Sequence, residues 1–516
     1  EVAGGVYCRR PVAPSGRPTP DPRVLLSSNG RRRLATVTIP APDLRPETFL
    51  RHAAGRPRGF WARADRWVAH RGVAAELRAA AETPSDAGAK AGSGGGTDRW
   101  DAIGRGARDL ALDPILAPGA TRAPRVRFYG GFSFRSDHRA DGVWADFPAG
   151  LFHLPEFELE GDGTGDAWLR VRRLVGSDRS EEVLARLRRD AESLRAELAT
   201  HADRPHRRPR VGGHAVATDR PSWEEAVERS LAAIRSGSIS KAVLARTLDV
   251  RLEEALDPAE VVVRLWEANR GSHVFLFEPV PGSALLGAAP ETVATLRDGV
   301  FHATAVAGSI RRGDTPREQA ELAAKLLASE KDRAEQRIAL DDMVARLETV
   351  AHQIRTDPQP HVLTLARIQH LETEIRASVP AGVDLLDLLR LLHPTPATCG
   401  LPRDAAMDFL AGAEPFERGW YAGPVGWFDA EGNGVFAPAL RTGVATGSGW
   451  RLFAGAGIVE GSVPALEWEE TGIKFQPVLD ALRGAGSELD LGSANGTTAT
   501  GPGAEPRSPA NRRGRG

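Results

Sequence analysis

The chain has 516 residues, long enough to bury an ordinary core as one large domain or as two or three, and its 67 basic and 68 acidic side chains leave a formal charge of −1. That balance speaks against a polybasic footprint for nucleic acid or for a membrane surface. Cys8 and Cys399 are too few for a disulfide framework and too far apart for a zinc-ligand pair, which favours a reducing, cytoplasmic setting. No apolar run approaches the roughly 18 residues of a membrane span, and no secretory signal opens the sequence. A chain that starts on Glu1 leaves its natural start undetermined.

Residues 1–30, the stretch PSDAGAKAGSGGGTD at 84–98 and residues 486–516 are rich in small and polar side chains. They cannot bury enough apolar surface to offset chain entropy, and are expected to be disordered ends and a flexible loop. Between them, residues 31–215 form an N-terminal portion and 216–485 a core. RVRFYGGFSF at 125–134, GVWADFPAGLFHLPEFELEG at 142–161 and DAWLRVRRLV at 166–175 read as strands of one sheet. Leucine and alanine at helical spacing predict a helix over 181–202. Another is predicted from Ser222, with Glu225 completing a capping box and Gly237 closing it. KAVLARTLDVRL, HVFLFEPV and ALLGAAPETVATLRDG then read as strands, followed by one long helix over about 315–351 and further elements to 483. There is no internal repeat and no glycine-rich phosphate loop. Strands in hairpin-like succession predict an α+β fold with mixed, largely antiparallel sheets rather than a Rossmann sheet.

Lys241 is one of five lysines in a chain that otherwise writes its cations as arginine. A desolvated lysine can lose its proton near neutral pH and a guanidinium effectively cannot, so position 241 suits a general base or a compact anion-holding cation. The bland alternative is a lysine guarding an edge strand. Asp332 with Glu335, and Glu467 with Glu470, stand three apart, so each pair projects from one helical face and together they suit Mg²⁺. Solvated helix faces would carry the same spacing. Gly308 beside Ser309, and Gly455 with Gly457, offer approachable backbone N–H groups for carboxylates, or simply tight turns. Arg441 and Lys474 are candidate cations for the same anion.

Taken in order, SISKAVLAR, LLGAAPET, AVAGSIRRG, LLASEKDRAEQ, ARIQHLETEI, LLHPTPATCGLPRDAA, RGWYAGPVGWFDAEGNG, LRTG, LFAGAGIVEGS and EWEETGIK span about residues 222–483. RFYGGFSF and WADFPAGLFHLP lie upstream. This ordered set resembles the chorismate-utilising enzymes, most closely the isochorismate synthases among them. The resemblance implies a single large α+β catalytic domain with a deep central site. It also implies that Lys241 activates water for attack at C2 of chorismate and that Glu291 protonates the departing C4 hydroxyl. Mg²⁺ would be held through Asp332, Glu335, Glu467 and Glu470. Gly308, Ser309, Tyr421, Arg441, Gly455, Gly457 and Lys474 would hold the substrate carboxylates, with His393 near the ring.

Lysine at 241 favours water over ammonia as nucleophile, so no glutaminase subunit is expected, and neither is a nucleic-acid or membrane partner. A monomer or weak homo-oligomer is expected. Salicylate synthases share the base lysine and add pyruvate elimination, and stay open as an alternative; an aminating synthase and a catalytically silent binding paralogue are more distant ones. The product's destination (menaquinone, a siderophore or salicylate) depends on neighbouring enzymes. Three departures from the family pattern stand out: Gln336 where histidine often follows the metal-binding glutamate, Ala289 where serine is usual, and Pro438 in the strand leading to Arg441.

Overall fold

A computed structural model describes residues 33–82, 98–110, 113–115, 125–176, 180–201, 213–484 and 489–490. Residues 1–30, Cys8 included, nearly all of the 84–98 loop and most of 486–516 lie outside the described residues; within the tail expected to be disordered, Leu489–Asp490 forms a short strand parallel to Gly213–Ala217. Among the described residues the strands form a 14-stranded and a 10-stranded sheet, almost entirely antiparallel, as the hairpin-like succession predicts.

The inner faces of the two sheets share one core, in which Trp61, Phe275, Phe277 and Leu285 of the larger sheet meet Tyr129, Leu151, Val425 and Ala437 of the smaller. Strands here are apolar on both sides. Phe60, Leu276 and Leu286 face the opposite way and pack under helices Ser180–His201, Pro258–Ala268 and Pro464–Arg483. Phe128, Phe132 and Phe436 pack likewise under Arg99–Asp109, Glu330–Leu347 and Leu385–Leu392. Burial on both faces explains why HVFLFEPV reads as a continuous apolar run instead of alternating.

Three expectations need correction. The strands between 125 and 175 do not share a sheet: Arg127–Phe132 and Gly150–Leu154 join the smaller one, while Phe157–Gly161 and Ala167–Val175 join the larger. The chain crosses at Pro155 and Glu156, where a proline ends the ladder. The helix expected from Ser222 spans Arg220–Arg235, capped by Asp219, whose Oδ1 accepts from Ser222 N at 3.0 Å. Pro221 sits in its first turn, where a missing N–H costs nothing. The long helix is two, Pro316–Ala328 and Glu330–Leu347, broken at Ser329, which takes extended backbone angles and caps the second by accepting from Asp332 N.

Lys241 opens the strand Lys241–Leu252. That strand pairs with Gly449–Ile458 on one side and with Gly213–Ala217 and the short Gly400–Leu401 on the other. It is interior to the sheet, and the lysine side chain is fully buried. An edge-guarding role is therefore excluded.

Candidate active site

Glycine strands, a bulge and two helix faces bring the site together. Strands Lys241–Leu252 and Gly449–Ile458 of the larger sheet approach Val300–Arg311 and Ile368–Ser378 of the smaller, with helices Glu330–Leu347 and Pro464–Arg483 alongside. A pocket of about 680 Å³, its open mouth included, lies between them. Its walls include Glu291, Gly308, Ser309, Glu335, Tyr421, Arg441, Gly455, Gly457, Glu470 and Lys474, so ten of the fourteen residues singled out by sequence line one cavity.

Two glycines are there because a side chain cannot be. Gly308 has φ of 75° at a bulge in the Val300–Arg311 strand, and a Cβ would come within 2.9 Å of Asp332 Cβ. At Gly457 a Cβ would lie 2.1 Å from Glu335 Oε1 and 3.3 Å from Lys241 Cε, so the bare backbone lets that pair cross the strand. Lys241 Nζ stands 2.9 Å from Glu335 Oε1, an ion pair by distance, yet the ammonium is not aligned to donate a hydrogen bond to it. The distance defines the electrostatics; the misalignment leaves the amine's hydrogen-bonding capacity unspent.

Glu291 is 2 % exposed, and its Oε1 has no hydrogen-bond partner. Burial pushes its carboxyl up to about 8, against the pull of Lys241's charge and with a further push from Glu372. The carboxyl therefore carries its proton at neutral pH.

The four helical carboxylates lie on the two facing helices, but each has turned to its own partner. Glu335 meets Lys241, Glu467 meets Lys331 at 2.9 Å, Glu470 meets Lys474 at 2.5 Å, and Asp332 accepts from Ser329 Oγ. Among the described residues no group of three or more His, Cys, Asp or Glu is gathered to hold a metal ion. Like charges explain the spread. Burial and the Glu335 charge raise the Asp332 carboxyl, and burial and the Glu470 charge raise that of Glu467. Buried carboxyls raised by a neighbouring carboxylate's charge, as at Asp332 and Glu467, are the chemistry a hard divalent cation relieves, so the residues fit Mg²⁺.

His393 does not line the pocket. It is buried between Trp100 and Phe134, with Nε2 2.9 Å from Phe134 O, and burial lowers it to about 3. The pocket's imidazole belongs to His370. Its Nδ1 lies 3.0 Å from Ser309 Oγ and 3.2 Å from Gly308 O, and Arg441 Nη2 lies 2.9 Å from its Nε2. One tautomer satisfies all three: Nδ1–H donates to the bulge, and Nε2 accepts from the guanidinium. Burial and the charge of Arg441 push His370 down to about 3, so it is neutral. The signal was in ARIQHLETEI, where alternation puts His370 and Glu372 on the polar face, away from Ile375 and Ala377, and across from the Gly308–Ser309 bulge.

Arg441 stays in the pocket despite Pro438. Proline ends strand Gly434–Pro438, and the chain turns through a left-handed Arg441 with φ of 50°. Gln336 donates to Thr373 Oγ1 at 2.7 Å and does not line the pocket, so that departure alters no pocket wall. Lys474 Nζ donates to Gly455 O at 2.8 Å, which fixes its ammonium beside the glycine strand.

With this geometry in view, the relatives can be compared. The family model described as chorismate binding enzyme matches residues 23–483. The chain belongs to the chorismate-binding enzyme family. It is 33% identical over 357 residues to the isochorismate synthase MenF of Bacillus subtilis, covering 69% of this chain and 74% of that one. It is 39% identical over 274 residues to the salicylate biosynthesis isochorismate synthase of Pseudomonas aeruginosa, spanning 53% of this chain and 57% of that relative. Among solved structures, the menaquinone-specific isochorismate synthase MenF from Escherichia coli superposes with a TM-score of 0.67 at 25% identity, over 89% of this chain and 97% of that one. Anthranilate synthase component I from Streptococcus pneumoniae shares the fold, with a TM-score of 0.60 at 19% identity. No helix among the described residues is long and apolar enough to cross a membrane.

Proposed function

We propose that this chain is an isochorismate synthase that interconverts chorismate and isochorismate, and that residues 31–215 and 216–485 work as one catalytic unit, since both sheets take strands from each. The observation that carries the reading is a fully buried amine at Lys241 and a buried carboxyl at Glu291, the carboxyl lining the pocket with Oε1 free of hydrogen bonds and the amine paired with the pocket wall at Glu335.

Water is a poor nucleophile and hydroxide a poor leaving group, so the isomerisation needs a base on one and an acid on the other. Lys241, once it has released the ammonium proton of its resting pair with Glu335, takes a proton from water as its oxygen bonds to C2. The ring double bonds shift and the C4–O bond breaks. Glu291 gives its proton to that oxygen, which leaves as water. One water enters and one departs, and the two side chains end as ammonium and carboxylate, to be reset by proton exchange. Glu335 and Glu470, with Asp332 and Glu467 directly or through water, would hold Mg²⁺, which neutralises and orients the ring carboxylate when bound. Arg441, Lys474 and the backbone at Gly308, Ser309, Gly455 and Gly457 receive the substrate's carboxylates. Tyr421, stacked 5.1 Å from Phe453 in the pocket wall, joins them.

Product analysis by proton NMR after incubation with chorismate and Mg²⁺ tests the reading. Isochorismate is expected. Salicylate with pyruvate would instead indicate the eliminating reaction, and an ammonia-dependent aromatic amine would overturn the assignment.

A further inference from the structure

A second carboxylate, Glu372, whose charge reaches Glu291, is not used by the reaction above. Glu372 is 8 % exposed on strand Ile368–Ser378, directly across from Val306, a wall of the pocket. Residues paired across an antiparallel ladder share a face, as do residues two apart on one strand, so Glu372, Val306 and Thr304 point the same way. Thr304 holds the residue that follows the acid: its N donates to Thr292 O at 2.9 Å, and Thr292 N donates to its Oγ1 at 3.0 Å. Arg63 closes the group from strand Arg58–Arg63, donating to Thr292 Oγ1 at 3.2 Å. Toward solvent, Glu372 Oε2 lies 3.0 Å from Nε2 of its cross-strand partner, the exposed His361.

The two carboxyls have unequal company. Burial raises Glu372, while hydrogen bonding and charge from His361 and then the charge of Arg63 oppose it, with Glu374 adding a small push upward. Among the described residues the cation whose charge pulls on Glu291 is Lys241, and that amine is already beside Glu335. Two neighbouring carboxyls resist double ionisation, and the better-compensated one gives up its proton first.

We propose that Glu372, tethered to His361, is a positioning residue that keeps the proton on Glu291 through the working pH range; this rests on the acid role assigned to Glu291 above. An ionised Glu372 makes ionisation of Glu291 harder, and His361 and Arg63 keep Glu372 the ionised member.

The test is the pH dependence of turnover in Glu372→Gln, which keeps shape and removes charge. Activity needs protonated Glu291, so the alkaline limb should move to lower pH by roughly half a unit or more. His361→Gln should move it in the same direction by less, and serves if Glu372→Gln fails to fold. The midpoint of Glu291 itself is read by infrared difference titration of its protonated carbonyl band, assigned by its loss in Glu291→Gln. A lower midpoint in Glu372→Gln supports the proposal whether or not chorismate turns over. An unchanged midpoint overturns it. Failure of the functional reading shows separately, as wild-type protein that yields no isochorismate.

Discussion

Lys241 opens a strand of the larger sheet and Glu291 lies in the short link between Ser283–Ala289 of that sheet and Ala294–Arg297 of the smaller, whereas Asp332, Glu335, Glu467 and Glu470 project from two helices. The Glu291 carboxyl, in the link between two strands, is left without a hydrogen bond at Oε1 and keeps its proton. The helix-borne carboxylates have each found a lysine or a hydroxyl. One half of the pocket thus stores an unfavourable electrostatic state that the backbone enforces. The other half disperses its charge until a cation gathers it. Proton transfer needs the first arrangement and cation binding suits the second.

The comparison breaks most directly at the rigid half. Lys241→Ala and Glu291→Gln should each lower turnover on the order of 10²- to 10⁴-fold in steady-state assays, with Mg²⁺-dependent chorismate binding retained. Retained turnover in both would remove their roles. At the adaptable half, Glu470→Ala should mimic chelation: EDTA abolishes wild-type activity reversibly, and Mg²⁺ raises wild-type Tm by about 2–4 °C but leaves that of the variant unmoved. Equal thermal shifts in both proteins would take Glu470 out of the cation site.

A stability measurement sharpens the contrast. Glu291 is raised on folding, so the unfolded chain releases its proton first, and stability falls as pH rises from about 4.5 toward about 8. Glu291→Gln cannot ionise. Its Tm should therefore exceed wild type at pH 9 and match it near pH 4; the same difference at both would show that Glu291 is not buried protonated. The smallest effect concerns the two histidines. His393→Leu should cost about 1 kcal/mol of stability through its lost bond to Phe134 O and leave kcat/KM unchanged, while His370→Leu should lower kcat/KM.

Much of this was legible in the chain. Lys241 stood out because arginine is the default cation here, and the two carboxylate pairs because i, i+3 spacing puts both members on one helix face. The α+β fold followed from strand succession. What was not legible depended on distant partners. His393 and His370 are both histidines beside apolar runs, and only the pairing of His370 with the Gly308–Ser309 bulge, some sixty residues away, separates a pocket residue from a core one. Ser329 breaks the long helix because its side chain satisfies Asp332 N, a local competition that leucine periodicity does not register. The switch of sheets at Pro155 was hidden because strands buried on both faces read alike.

The central claim is that a buried amine and a buried carboxyl exchange one water for another on the substrate ring. The direct measurement is turnover of chorismate with Mg²⁺ in ¹⁸O-enriched water, followed by mass spectrometry of the product. Isochorismate carrying one solvent oxygen, at C2, is the predicted result; isochorismate without solvent oxygen, or no isochorismate from folded, Mg²⁺-loaded protein, would contradict it.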